Sequence, residues 1–176
     1  MPETRDFGKA SLLEADAIGP PGKRRFRLLI LSNRGTAWLW LEKEQLQALG
    51  AVTDQLLTGL PALWTLVRPE AKVREPSPEF TRSPTIELTV GHLTLESDEA
   101  QQRFVLQIHD TEADPQEPPT LRCRVTRQQL IGLGDQVVAL SAAGRQRCPS
   151  CGALLVKGEA HTCPGSNGHR PDTPID

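Results

Sequence analysis

Residues 36–56, TAWLWLEKEQLQALGAVTDQL, recur 84 positions later as residues 120–140, TLRCRVTRQQLIGLGDQVVAL. Thr36/Thr120, Gln45/Gln129, Leu46/Leu130, Leu49/Leu133, Gly50/Gly134 and Leu56/Leu140 are identical. Just upstream, Arg25-Phe26-x-Leu28-x-Ile30 matches Arg103-Phe104-x-Leu106-x-Ile108 at an offset of 78, so the second copy carries six more residues in one loop. An internal duplication accounts for both matches, and it constrains the chain to build two like halves.

The periodicity within each half gives its elements. In residues 24–31, RRFRLLIL, Phe26, Leu28 and Ile30 lie on one face of a strand and Arg25, Arg27, Leu29 and Leu31 on the other. Asn33-Arg34-Gly35 predicts a tight hairpin turn, and residues 36–41 alternate Ala37, Leu39 and Leu41 against Thr36, Trp38 and Trp40. From residue 42 to about 57 the spacing becomes Leu46, Leu49, Val52 or Thr53, and Leu56, the stripe of a helix covering a sheet. Residues 10–18 read as a preceding strand. The second half repeats this plan, with strands at 85–96, 103–110 and from Leu121 to Val125, an acidic hairpin tip at 111–119, and a helix carrying Leu130, Leu133, Val137 and Leu140. Thr126-x-x-Gln129 is a capping box at its start. Gly50 and Gly134, at matching places in mid-helix, point to close packing of the helices on each other or on the sheet.

The expected fold is therefore α+β: two βββα halves forming an antiparallel sheet or a partly closed barrel with two packed helices, plus a small C-terminal zinc knuckle. The duplicated domain takes 1–144, with halves at about 10–60 and 85–143 joined by a Pro-rich linker, 61–84. The zinc-binding tail takes 145–170, and 171–176 is a disordered C-terminus. Within the linker, PALWTLV is expected to pack and the remainder to residue 83 to be mobile.

Four cysteines could mean disulfides, but Cys148, Cys151 and Cys163 fall within sixteen residues beside His161, while Cys123 stands alone. The first residues carry acids and no apolar run of signal-peptide length, and no stretch approaches the roughly 18 apolar residues of a membrane span. The expectation is a cytoplasmic protein with no membrane partner, in which such clustering favours metal over disulfides. Cys148-Pro-Ser-Cys151-Gly supplies two thiolates from one knuckle, and His161 and Cys163 complete a tetrahedral Zn2+ site, with His169 as the reserve ligand. Four protein ligands leave no open position for water, so the zinc is read as structural. A redox pair at Cys148 and Cys151 would lack its βαβ context and leave His161 and Cys163 without a role.

The run CPSCG, a histidine two before the third cysteine, then CPGSNGHR, preceded by a helix ending in AAGR, resembles the C-terminal signature of an uncharacterised bacterial family. That family is a domain of unknown function with a CPxCG to H-x-CPRxNGYR tail. LEKEQLQAL and GPPGKRRFRLLIL are similar to its N-terminal half. This chain differs at Gly165 and His169, where the family has arginine and tyrosine. The resemblance implies the fold and the metal, and no reaction.

Other residues bear on partners. Trp38 and Trp40 lie opposite the core face of their strand, as a partner surface or under a covering segment. Arg25, Arg27, Arg122, Arg124, Arg145 and Arg147 could contact nucleic acid beside the knuckle, although a net charge of −2 does not favour a whole-protein nucleic-acid binder. Asp110-x-Glu112-x-Asp114 lacks the glycine and distal glutamate of a calcium loop. His92 and His109 sit on strands with no paired nucleophile and are read as structural. The functional expectation is a non-catalytic protein-interaction or adaptor module with an unidentified protein partner. The runner-up is a nucleic-acid-associated protein, and the third reading is an enzyme with its site between the halves.

Overall fold

The structure, a computed structural model, describes residues 3–20, 22–58, 73–98, 103–114, 116–143 and Cys151. The elements run β1 (Arg5–Ile18), β2 (Arg25–Ser32), β3 (Gly35–Leu41), α1 (Lys43–Thr58), a 3-10 turn (Pro78–Thr81), β4 (Ile86–Asp98), β5 (Arg103–Asp110), β6 (Leu121–Val125) and α2 (Arg127–Ala143). The fold is α+β, and its six strands close into a barrel in chain order, which decides between the open sheet and the barrel.

Within β1–β2–β3 and within β4–β5–β6 every pairing is antiparallel. The two seams, β3 against β4 and β6 against β1, are parallel. Short hairpins join antiparallel neighbours, whereas a parallel pair needs a crossover, and α1 with the segment after it provides the one between β3 and β4.

The alternation read from the sequence fixes which side chains fill the barrel. Leu28, Ile30, Ala37 and Leu39 from one half meet Leu106, Ile108, Leu121 and Cys123 from the other, all at most 1% exposed. Leu46 and Leu49 on α1 and Leu130, Leu133, Val137 and Leu140 on α2 continue this core. Of Val52 and Thr53, Thr53 takes the buried place and Val52 is exposed.

Each helix packs on the first strand of the opposite half, α1 on β4 and α2 on β1. Two glutamines hold these crossings. At the start of α1, Gln45 Oε1 accepts from the Glu42 amide at 2.8 Å, while its Nε2 donates to the carbonyls of Val90 at 2.8 Å and Gly91 at 3.2 Å. At the start of α2, Gln129 Oε1 accepts from the Thr126 amide at 2.8 Å, and its Nε2 donates to the Ala10 carbonyl at 2.9 Å. The Gln129 amide donates to Thr126 Oγ1 at 3.3 Å, completing the capping box. Both strand contacts fall at a register shift, between Ala10 and Leu12 in β1 and between Val90 and His92 in β4.

The outer face of β2 is covered where the sequence leaves it apolar. Leu29 points away from the barrel yet is fully buried, and the 3-10 turn packs against β2 with Phe80 only 4% exposed. Ser77, at the start of that turn, donates through its amide at 2.8 Å and through its hydroxyl to the Glu14 carboxylate on β1. This corrects the expectation that everything between PALWTLV and residue 83 is mobile: Phe80 supplies an apolar anchor and Glu14 a polar one. PALWTLV lies outside the described residues.

Candidate functional site

The outer face of β1, β2 and β3 brings together residues far apart in sequence. Register places Arg27 between Asp16 on β1 and Trp40 on β3, and Leu29 between Glu14 and Trp38. Arg27 is bidentate to Asp16, with Nη2 2.6 Å from Oδ2 and Nε 3.0 Å from Oδ1, and both residues are buried. The Arg27 guanidinium carbon lies 4.4 Å from the Trp38 ring centroid and 5.2 Å from that of Trp40. Arg25 stacks on Trp40 at 4.0 Å, and the Trp40 indole N–H donates to Glu87 Oε1 at 2.6 Å.

The result is a ladder, Arg25–Trp40–Arg27–Trp38, fixed at one end of Arg27 by a carboxylate. Guanidinium over indole joins cation–π attraction to the apolar contact of two planar groups. Both tryptophans are half-buried, and the Trp38 indole N–H is buried without a hydrogen-bond partner. At the rim, Lys23 and Arg25 are exposed, and among the described residues no carboxylate is paired with Arg25. Trp38 and Trp40 are therefore neither bare aromatic surface nor fully covered. Asp16 and Glu87, which organise them, were not singled out from the sequence, because only cross-strand register brings them there.

The arginines proposed for nucleic acid are not one patch. Arg122 and Arg124 stand on β6 beside the start of β1, with Arg122 Nη2 2.9 Å from Asp6 Oδ2. Arg25 and Arg27 stand beside its other end, ten residues and about 30 Å of strand away. Asp6 also accepts from the Gly8 amide at 2.7 Å, and Arg34 donates to its backbone carbonyl at 2.6 Å. The hydrogen bonds from Arg122 and the Gly8 amide hold the Asp6 carboxyl below its usual range. Arg145 and Arg147 lie outside the described residues.

Of the residues expected to bind zinc, Cys148, His161 and Cys163 lie outside the described residues, as does His169, and Cys151 is exposed. Among the described residues no group of three or more histidines, cysteines and carboxylates is placed to hold a metal ion. Cys123 is fully buried in the barrel, and burial, with a smaller push from the Asp6 charge, raises its thiol to about 12. It is a core residue rather than a nucleophile. Asp110 and Asp114 each use one carboxylate oxygen to cap their own turn, Asp110 Oδ1 accepting from the Glu112 amide at 3.3 Å and Asp114 Oδ1 from the Gln116 amide at 2.9 Å.

Between the helices runs an open groove of about 520 Å³, lined by Gln47, Gly50, Ala51, Asp54, Val137 and Val138 among others. Its walls are small and mostly apolar, with no pairing of acid, base and nucleophile. Among the described residues no helix is long and apolar enough to cross a membrane.

Comparison with curated proteins and with solved structures gave no match. A family model described as "Protein of unknown function (DUF3090)" matches residues 5–163, which takes in every strand, both helices and the cysteine cluster. The chain belongs to the DUF3090 family.

Proposed function

We propose that this chain is a non-catalytic protein-interaction module that docks an acidic segment of a partner protein on the Arg–Trp face of β2 and β3. The observation that carries the reading is Arg25: exposed, stacked at 4.0 Å on Trp40, and paired with no carboxylate among the described residues. A guanidinium held flat by an indole has already lost much of its freedom, so little more is lost when a carboxylate binds. Lys23 beside it, and the half-buried rings of Trp38 and Trp40, add charge and apolar area in the mixture typical of interface hot spots. The filled barrel supports the same reading, since its interior is occupied by side chains where a ligand would otherwise sit.

Two further parts belong to this proposal. The halves derive from one duplicated βββα unit, supported by the aligned residues and by the reciprocal crossings of Gln45 and Gln129. The C-terminal tail holds a structural Zn2+ through Cys148, Cys151, His161 and Cys163, a donor set of three thiolates and an imidazole that closes a tetrahedron.

The test is site-specific photocrosslinking in cells with the reactive residue at Lys23, which leaves the ladder intact. Adducts on one Asp/Glu-rich protein segment, lost on Arg25→Glu, support the reading. Adducts on nucleic acid alone, or the same adducts from a reactive residue at Glu96 on another face, overturn it.

A further inference from the structure

A second polar feature, on the opposite half of the barrel, is independent of that surface. His92 on β4 and His109 on β5 are direct cross-strand partners, with ring centroids 6.0 Å apart and planes inclined at 47°. His109 is only 8% exposed. Its Nε2 lies 3.1 Å from the Glu117 carbonyl, which can only accept, so Nε2 carries the proton. In the neutral ring Nδ1 then holds a lone pair, and Nδ1 is buried with no partner. A histidine anchored through one nitrogen to a carbonyl, with the other unclaimed, has the tautomer and fixed orientation of a metal ligand.

The backbone goes out of its way to bring His92 opposite. Val90 points into the barrel, so simple alternation would send residue 92 inward as well. The register shift between Val90 and His92 breaks that alternation and leaves His92 exposed. Gly91 permits the shift, since a Cβ there would stand 2.8 Å from both the Asp110 carbonyl oxygen and the Thr111 Cα. Gln45 pins the Gly91 carbonyl from α1.

The other half carries the matching pair at the matching place. Leu12 and Leu31 are cross-strand partners just beyond the register shift of β1. Fold and packing are thus satisfied by two leucines in one half, whereas two imidazoles stand in the other, where one leaves a buried nitrogen unbonded. Two imidazoles bound to one ion at about 2.0–2.1 Å place their ring centroids roughly 5 to 6.5 Å apart, tetrahedral to linear. The observed 6.0 Å falls inside that window. Glu112, Asp114 and Glu117 on the adjoining hairpin make the local field favourable to a cation.

We infer that His92 and His109 form a binding site for a borderline divalent transition-metal ion such as Zn2+, with His109 Nδ1 and one His92 ring nitrogen as protein ligands and water in the remaining positions. Imidazole donors suit zinc, copper and nickel rather than calcium or magnesium. This ligand pair shares no residue with the cysteine cluster.

Ring-nitrogen NMR on the full chain resolves the four histidines individually. After one equivalent of Zn2+ has been added for the tail, further Zn2+ is expected to shift His109 Nδ1 and one His92 nitrogen together. His92→Ala, at an exposed position, is expected to weaken that second binding event tenfold or more by calorimetry while leaving the melting temperature unchanged. Unmoved His92 and His109 signals at excess Zn2+, or equal affinity in His92→Ala and the parent, would overturn the inference.

Discussion

Gln45 and Gln129 make the same bond in opposite directions across the barrel: each caps its own helix and donates to the first strand of the other half. The strand carbonyl that each reaches lies beside a register shift, where the regular ladder is interrupted, so the glutamine ties the helix to the irregular point of the strand. Gln45→Ala and Gln129→Ala are each expected to cost about 1–2 kcal/mol, from a lost cap and a carbonyl left unpaired. The double variant is expected to be near-additive, because the contacts are separate. Urea denaturation measures both, and an unchanged midpoint in either single variant would remove that glutamine from the argument.

At Gly50 α1 packs tightly on α2. A Cβ there would lie 2.7 Å from Val137 Cγ1, and valine, stiff at χ1, has little room to turn away. Gly50→Ala is therefore expected to destabilise by about 1–3 kcal/mol despite the better helix propensity of alanine. Adding Val137→Ala should recover part of that loss. Gly132, whose Cβ would meet nothing within 4 Å, is the control: Gly132→Ala should gain up to about 1 kcal/mol.

Removing Arg27 strands Asp16, a buried carboxylate, beside two indole rings. Arg27→Ala is expected to cost about 3–5 kcal/mol, whereas replacing both partners by Met and Leu should cost much less. Arg25→Ala, at the exposed end of the same ladder, should leave thermal stability within about 0.5 kcal/mol. If Arg25→Ala destabilised the fold as much as Arg27→Ala, the ladder would be structural throughout and its rim would not be available to a partner.

Cys123 gives a pH prediction with a definite sign. Its thiol is raised to about 12 in the folded protein against an unfolded value near 8.5–9. Its stabilisation is whole below the unfolded value and is lost as pH rises from there toward 12, because only the unfolded chain ionises. Stability should fall more steeply between about pH 9 and 11 in the parent than in Cys123→Ala. At pH 8 a thiol reagent should leave Cys123 untouched until the protein unfolds.

For the tail, elemental analysis of protein purified without a tag is expected to find zinc, with one equivalent lost in Cys163→Ser and protease sensitivity confined to the tail. No metal in the parent, with Cys148 and Cys151 joined to each other, would replace structural zinc by thiol chemistry.

The elements were legible because their periods are clean. Phe26, Leu28 and Ile30 alternate as a strand must, and Leu130, Leu133, Val137 and Leu140 recur as a helix must. Barrel closure was not, because the pairing of Asp6 with Arg122 and of Lys9 with Arg124 joins residues more than a hundred apart with no local signature. The tryptophans announced a surface by lying opposite Leu39, but their partners Asp16 and Glu87 looked like ordinary polar positions on other strands. His92 and His109 read as unremarkable for the same reason: the register shift at Gly91 that makes them neighbours leaves only a glycine in a strand to mark it.

β1 pairs over Ala10–Ile18 with β2, its neighbour in sequence, but over Arg5–Lys9 with β6. On the ribosome the barrel strand made first is thus the last of the six to be completed. Its leading half waits as an open edge until residues 121–125 have emerged, exposed meanwhile to any other strand nearby. A chain stalled after β5 would present that edge indefinitely. Swift delivery of β6 is thereby a safeguard against aggregation, and the long sequence separation at this seam is expected to slow its closure.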